Sequence, residues 1–579
     1  MTKTLDKWID SVAKMTVVEE VIWGLTILLV ALWSDPLQGA QIGTVLLALF
    51  CLRAFIGSGG RTITPLGVFA LVTLFTAGFP AYVAWDDDRI TSDALRGAVT
   101  LTFFLTVVAC GLSWRAAGAF RRDKMVLPGA YLYSSIGVVL FALGYAIRSS
   151  ESLPGIIIES IAVAGVFLTA IGAWWSRSKV WLWLSFPVVI AMTAVYVLQI
   201  HSGQGRLRIA ALGLGLLLMF SIRFRGMWIK LLTILAGPAA LMVFSMLRKA
   251  HQESINKGNS ANRTGLESLT DPFVTFANLL DLHEQGRFDF QGGKNLLTPL
   301  TPIAPESWDL PRAIGYELVK YWKPEKAIPK YDWYSVAANA TGEWYWMGGI
   351  SAVVIGALAV GAFLALLNWA ITRGYAGLEK NWWAAALFIA AVTFASGLGD
   401  MVWGGLHIYW YRSIPRVILE IAVVAFVAIV LWVMAAARGT KPEEVVIDKA
   451  TDTDDQVHSQ ADIPVAFEPE VDETAEEKAA EKDEVEPVTQ LATEPEPATE
   501  PEPVPAPATD TAKPVAPEPE PTVAVVKHDA PDNKKLQIAA AALAAAGAAG
   551  AIGWLVRNRS NAEVDARAQE LLREVFNEK

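Results

Sequence analysis

Long apolar segments recur along this sequence and constrain its fold more than any other feature. A helix needs roughly 20 mostly apolar residues to cross a bilayer, and helices are one of only two structures that satisfy the backbone inside lipid. Such segments lie at 16–34, 38–57, 63–85, 96–114, 127–147, 155–175, 180–200, 208–222, 227–247, 348–370, 382–400 and 415–437. The sequence therefore predicts an all-α integral membrane protein with about twelve transmembrane helices.

The composition agrees with lipid as the solvent of this chain. Of its 579 residues, 53% are hydrophobic and only 18% are charged, which is unusual for a soluble protein. The formal net charge of -10 arises mostly in 443–531 and says little about the membrane part. Cys51 and Cys110 both lie in apolar segments, so we expect them to be packing residues rather than a disulfide or a metal pair.

Basic residues in the connections predict the orientation of the chain. With the N-terminus in the cytoplasm, the inner connections carry lysine and arginine, whereas the short outer connections carry arginine but no lysine, as the positive-inside rule favours. The first helix is expected to stay as an anchor. This orientation divides the chain into a cytoplasmic N-terminus at 1–15, helices one to nine at 16–247, a large extracytoplasmic loop at 248–347 and helices ten to twelve at 348–437.

The C-terminal part of the sequence has a different character. Residues 438–535 are rich in Glu, Pro, Ala and Thr, a composition that cannot bury enough apolar surface to fold, so we expect a disordered acidic linker in the cytoplasm. The Ala-rich segment 536–556 is a candidate thirteenth span with a weak drive to insert. Residues 557–579 follow the pattern of a short amphipathic helix, which we expect to be a docking or surface helix.

Motifs of soluble enzymes are missing from the sequence. It contains no GxxxxGK[ST], no GxGxxG opening a helix after a strand, no HExxH and no CxxC, and its six histidines lack the spacing of metal ligands. We therefore expect no cofactor, no metal and no nucleic-acid partner. The acids Glu159 and Glu420 lie near the predicted outer ends of their helices, where they fit interface residues as well as a proton relay.

Arginine recurs at the predicted outer face. A guanidinium group keeps its charge and binds phosphate through two parallel hydrogen bonds, so arginines that converge from several connections would suit a lipid pyrophosphate. The alternative is that each arginine reaches toward lipid headgroups or pairs with an acid in a loop. The arginines concerned are Arg206, Arg208, Arg248, Arg263, Arg287, Arg312, Arg412 and Arg416.

Aromatic residues are concentrated in the second half of the predicted outer loop, including Trp308 and the run from Trp344 to Trp346. Aromatic faces stack on sugar rings, but they also form belts at the level of the lipid headgroups. Beside them, Glu343 is placed where a carboxylate could deprotonate a sugar hydroxyl. The alternative for Glu343 is an acid favoured by the dipole of the tenth helix.

Three motifs in this order resemble a known family. Residues 202–206 read Ser-Gly-Gln-Gly-Arg, with Leu207 where a glycine is expected; 292–312 combine Gly-Gly-Lys with a Pro-rich, aromatic and basic stretch; and 342–349 read Gly-Glu-Trp-Tyr-Trp-Met-Gly-Gly. Together with the many spans and the large outer loop, they make 16–437 similar to the Wzy-type, O-antigen polymerase-like repeat-unit polymerases of bacterial envelopes.

The resemblance implies a glycosyltransferase in the cytoplasmic membrane. Such an enzyme polymerises undecaprenyl-pyrophosphate-linked oligosaccharide repeat units at the outer face of the membrane. The resemblance assigns Glu343 as the catalytic base and Arg206, Arg312 and Arg412 as the groups that stabilise the leaving pyrophosphate. The residues that would bind substrate are Arg208, Arg248, Arg287, Lys294, Trp308, Trp344 and Arg416.

Other functions fit parts of the sequence. An O-antigen ligase-like glycan transferase would use the same chemistry at the same face. A lipid-linked oligosaccharide flippase or another transporter would place its charges along a central cavity rather than at helix ends. A scaffold would need fewer spans. In the polymerase, the acidic tail would be a tether to other enzymes of envelope biosynthesis.

Overall fold

Helices make up the described part of the protein, and no strand occurs in it. The C-terminal linker, the Ala-rich segment and the amphipathic helix predicted beyond residue 438 lie outside this part, as do residues 1–14. A computed structural model describes residues 15–87, 90–115, 125–149, 155–200, 206–237, 267–287, 289–300, 308, 314–322, 336–379 and 381–438.

As far as the structure describes them, the predicted apolar segments fall on helices. The helices are α1 Val17–Ala31, α2 Pro36–Gly57, α3 Pro65–Asp86, α4 Ser92–Arg115, α5 Ala130–Ala146, α6 Gly155–Trp174, α7 Lys179–Ile200, α8 Arg206–Phe224, α9 Met227–Gly237, α10 Glu267–Glu284, α11 Ile314–Trp322, α12 Ala340–Ala376, α13 Trp382–Ser396 and α14 Leu398–Arg438. Eight of those in the described ranges are long and apolar enough to cross a membrane, and α5, α9 and α13 are shorter apolar helices. The protein is therefore a multi-pass, all-α membrane protein.

Side chains near the helix ends satisfy backbone groups that lipid cannot. Asp35 accepts hydrogen bonds from the first turn of α2, and Pro36 fills its first position. At the opposite end of α2, the Lys230 ammonium donates to the carbonyl oxygens of Ile56 and Ser58 at 2.9 and 2.6 Å. These bonds tie α9 to α2, since a lysine is a favourable partner for the last carbonyls of a helix.

Glycines allow α5 and α6 to pack with their backbones in contact. A Cβ atom on Gly165 would lie 2.7 Å from the Gly137 carbonyl oxygen and 2.7 Å from the Phe141 nitrogen. Gly172 is equally close to the backbone of Ala130. Small residues at such contacts are typical of helix pairs in membranes, where close packing replaces the hydrophobic effect as the driving force.

The structure corrects two boundaries of the sequence analysis. The last helix begins at Leu398 rather than at 415, so 398–414 is helical and not a connection. The predicted loop at 248–347 also contains α10, which packs on α3 and α4 with Phe273, Phe276 and Leu280 buried. The spacing of these apolar residues is that of an amphipathic helix, and the 18-residue segment is too polar to be predicted as a membrane span.

We expect Gly165→Ala to lower the free energy of unfolding by about 1–3 kcal/mol, because the added methyl group meets backbone atoms that cannot move aside. The matched control is Gly213→Ala on α8, where a Cβ atom has no neighbour within 4 Å. Denaturation of both variants in detergent measures the difference. Equal effects of the two substitutions would contradict the close packing of α5 on α6.

Candidate functional site

Two helices are broken by glycine at the same end of the bundle. Within α14, Gly405 has φ 84° and ψ 178°, which separates 398–404 from 406–438. Within α12, Gly349 has φ 65° and ψ -148°, which separates 340–347 from the long remainder of that helix. Positive φ values of this kind favour glycine, which has no Cβ atom to clash. We call residues 340–347 the α12 half-helix and 406–438 the α14 half-helix.

Glu343 joins the two breaks. Its side chain is buried, with 2% exposed, and its Oε2 atom accepts a hydrogen bond from the backbone N–H of Leu406. The N–H of His407 is a second donor to the same carboxylate. A Cβ atom on Gly405 would clash with this carboxylate. The acid therefore caps the first turn of the α14 half-helix from a different helix.

The α12 half-helix that carries Glu343 is held at both ends. At its start, Asn339 Oδ1 accepts a hydrogen bond from the Gly342 N–H at 2.8 Å. At its end, the N–H groups of Gln291 and Gly292 donate to the carbonyl oxygens of Trp346 and Met347 at 3.1 and 2.9 Å. Main-chain bonds thus fasten the segment around 291–292 to the helix that carries Glu343.

Buried charges gather close to the α14 break. Arg208 on α8 forms an ion pair with Glu159 on α6, and Arg412 on the α14 half-helix forms one with Asp400 on the other side of the break. Both carboxylates are almost completely buried. Arg416 lies one turn beyond Arg412 and is only 1% exposed. Charges at such depth persist in membrane proteins when they are paired or face a polar site.

Tyr196 connects these pairs into one cluster. Its phenol lies within electrostatic reach of the Glu159 carboxylate and of the guanidinium groups of Arg208, Arg412 and Arg416. Tyr196 lies near the end of α7, whereas Glu159 and Arg208 lie near the starts of α6 and α8. Because successive helices run in opposite directions, these positions share one end of the bundle, the end that the predicted topology places outside.

Polar atoms of this cluster remain available to a ligand. In the part of the chain that the structure describes, Nε and Nη2 of Arg416, Nε of Arg208 and Oδ2 of Asp400 are buried without a hydrogen-bond partner. The same holds for Oε1 of Glu420, which lies one turn after Arg416 and within its electrostatic reach. A buried polar group without a partner is costly, and guanidinium N–H groups are suited to a phosphate oxygen. The arrangement can therefore bind an anion through arginine, while the acids hold the neighbouring arginines in place.

The structure brings together Arg208, Arg412 and Arg416 from the predicted set. The last two do not lie in a connection before the twelfth span, as the sequence analysis expected, but inside α14. Arg287, Lys294 and Trp308 are exposed and lie in the chain between α10 and α11. Arg248, Arg312 and the side chain of Arg206 lie outside the described residues.

The structure also bears on the alternative roles of the arginines, the tryptophans and Glu343. Arg208 and Arg412 pair with acids on helices rather than with loop acids. Trp344 and Trp346 are buried rather than arranged as a belt, and Trp344 lies against Gly356. Glu343 lies in the first turn of α12, as the dipole alternative expects, and it also accepts a hydrogen bond from the start of the α14 half-helix.

Three members of the cluster were not assigned to the site from the sequence. Glu159 was recognised as an acid within the membrane but without a partner, and its partner is 49 residues away. Asp400 was included at the end of an apolar segment. Tyr196 resembled any other apolar position of α7. An acid inside a predicted span is the signal that would have directed attention to Glu159 and Asp400.

No family model matches the sequence, and comparisons with curated proteins and with solved structures give no match either. The function is therefore argued from the residues of this site, since a fold by itself does not define a function.

We expect Glu159→Ala to lower the free energy of unfolding by about 3–5 kcal/mol, because it leaves the Arg208 guanidinium buried without its partner. The double variant Glu159→Ala, Arg208→Ala should lose less than Glu159→Ala alone. As a control, Glu317→Ala breaks the exposed pair with Lys320 and should cost less than about 1 kcal/mol. Denaturation of the purified proteins measures the free energy of unfolding of all three variants. Equal losses for the single and double variants would contradict the pairing of Glu159 with Arg208.

Proposed function

We propose that the protein is a glycosyltransferase that polymerises lipid-pyrophosphate-linked oligosaccharide repeat units at the outer face of the cytoplasmic membrane. The observation that carries this proposal is the cluster of Arg208, Arg412 and Arg416 at one end of the helix bundle. Within it, two buried guanidinium nitrogens of Arg416, Nε and Nη2, have no hydrogen-bond partner among the described residues. The motifs at 202–206 and 342–349 support the same function by resemblance.

The reaction requires this kind of charge arrangement. A hydroxyl of one lipid-linked repeat unit attacks the anomeric carbon of another, and the bond from that carbon to the pyrophosphate oxygen breaks. The leaving lipid pyrophosphate gains negative charge, which guanidinium groups in a water-poor site stabilise most effectively. Arg416 would bind the pyrophosphate directly, and Arg206 and Arg312 remain predicted contributors from the outer connections.

The hydroxyl proton must also pass either to a base of the protein or to the pyrophosphate oxygen that leaves. The sequence predicts Glu343 for this role. The Glu343 carboxylate already accepts hydrogen bonds from the N–H groups of Leu406 and His407. These bonds compete with its use as a base.

The proposed topology follows from the charge distribution of the sequence. Twelve spans with the N-terminus in the cytoplasm would put the arginine cluster at the outer face and the long connection at 248–347 outside. The acidic tail would then extend into the cytoplasm, where a flexible tether can raise the local concentration of partner enzymes of envelope biosynthesis.

A transporter of lipid-linked glycans is the second candidate, and the two broken helices favour it. Discontinuous helices and paired charges within the membrane are common in transporters. Such sites lie near the middle of the bilayer, however, whereas this cluster lies near the starts of α6 and α8 and the end of α7. A ligase that moves finished glycan would share the arginine chemistry in full.

We expect Arg416→Ala to reduce polymer formation by at least about 10²-fold, the effect of removing one donor that stabilises a developing anion. Arg416→Lys should retain a small part of the activity, because lysine keeps the charge but loses the two-pronged geometry. Arg148→Ala is the control, since Arg148 stacks on the exposed ring of Tyr145. The measurement is the gel profile of envelope glycan in a null strain complemented with each variant.

The same gel separates the candidates. Single repeat units that accumulate on lipid in the null strain and with a well-expressed Arg416→Ala support the polymerase. Full-length polymer that stays unattached indicates a ligase, and repeat units retained at the inner face indicate a transporter. Normal polymer from Arg416→Ala would contradict the assignment of this site.

A further inference from the structure

The carboxylate of Glu343 occupies a position that a helix start inside a membrane must fill. The first N–H groups of any helix have no partner within the helix, and lipid supplies none. At the α14 half-helix, the N–H groups of Leu406 and His407 are such donors, and Glu343 accepts from both. A side chain from another helix thus caps the α14 half-helix, as a capping residue caps an ordinary helix.

The backbone on both sides of this contact has a conformation that accommodates it. Gly405 adopts a positive φ and leaves the space that the carboxylate needs. The α12 half-helix that presents Glu343 is itself bound at Gly342 and at Trp346 and Met347. The α12 half-helix therefore holds the Glu343 carboxylate in a fixed position against the start of the α14 half-helix.

The contact between Glu343 and Leu406 affects the positions of Arg412 and Arg416, because these arginines lie on the same half-helix. Arg412 lies six residues after Leu406, a distance of about 9 Å at 1.5 Å per residue. Across the break, Asp400 holds Arg412 from the other segment of α14. Two contacts thus fix the break, Glu343 with Leu406 and Asp400 with Arg412. If the first is lost, the first turn of the half-helix is free to unwind and the guanidinium groups of Arg412 and Arg416 shift.

The same contacts argue against Glu343 as the base. A base must take up the proton on an oxygen, and Oε2 of Glu343 already accepts a hydrogen bond from the Leu406 N–H. Protonation of the carboxylate would also weaken the hydrogen bonds that it accepts from Leu406 and His407. The geometry points to Glu343 as a positioning residue, which caps the α14 half-helix and so aligns Arg412 and Arg416 toward the pyrophosphate. This inference rests on the proposed function for its substrate.

Glu343→Gln tests the inference, because glutamine keeps an oxygen that accepts from N–H groups but cannot take up a proton at neutral pH. We expect Glu343→Gln to make polymer of wild-type length, at a rate within about threefold of wild type and with the same pH profile. Glu343→Ala and Gly405→Ala should both lose polymer by at least about 10²-fold, as expected when the arginines are misaligned. Their melting temperatures in detergent should fall by about 2–8 °C, the effect of a lost cap.

Two results would overturn the inference. One is a Glu343→Gln variant that melts like the wild type yet is as inactive as Glu343→Ala, since that result makes Glu343 the base. The other is a Glu343→Ala variant that melts and polymerises like the wild type. If the wild-type gene itself fails to restore polymer to the null strain, the proposed function fails instead, and the melting temperatures alone decide: a drop for Glu343→Ala that Glu343→Gln lacks still supports the cap.

Discussion

The pairing of buried charges within the helix bundle governs the arrangement of this protein. An ionised side chain without a partner in a medium of low dielectric constant costs several kcal/mol. The pair Glu159 and Arg208 therefore holds the starts of α6 and α8 together, and the pair Asp400 and Arg412 closes the break in α14. Tyr196 near the end of α7 lies within electrostatic reach of residues from both pairs. As a result, four helices meet at one end of the bundle. Arg416 lies among them, and its Nε and Nη2 atoms have no hydrogen-bond partner among the described residues.

The breaks in α12 and α14 follow from the same requirement applied to the backbone. A break within a membrane exposes N–H and carbonyl groups that need partners. Glu343 satisfies the donors at the start of the α14 half-helix, and Gln291 and Gly292 satisfy the carbonyls at the end of the α12 half-helix. These contacts link the polar connection after α10 to the charged cluster. Backbone capping and charge pairing thus build one site from elements that are far apart in the sequence.

Hydropathy predicted the helices well because lipid allows few alternatives. Within the described residues, all twelve apolar segments fall on helices. The last helix, α14, begins seventeen residues earlier than predicted, since its glycines, aromatic residues and Arg412 lower the hydropathy of 401–414. The arginines of the site were identified by type, but their partners were not, because a pair such as Glu159 and Arg208 depends on which helices pack together. The sequence also gave no indication that Glu343 would cap another helix, a contact that requires the fold.

Binding of a polyprenyl pyrophosphate to the purified protein in lipid nanodiscs, followed by native mass spectrometry, tests the central claim most directly. The matched ligand is a polyprenol of the same chain length, which lacks the anionic group, and the matched protein is Arg416→Gln. The account predicts that the wild type binds the pyrophosphate at least about tenfold more tightly than the polyprenol, and that Arg416→Gln loses most of this preference. Equal binding of the two lipids by the wild type, or an unchanged preference in Arg416→Gln, would contradict it.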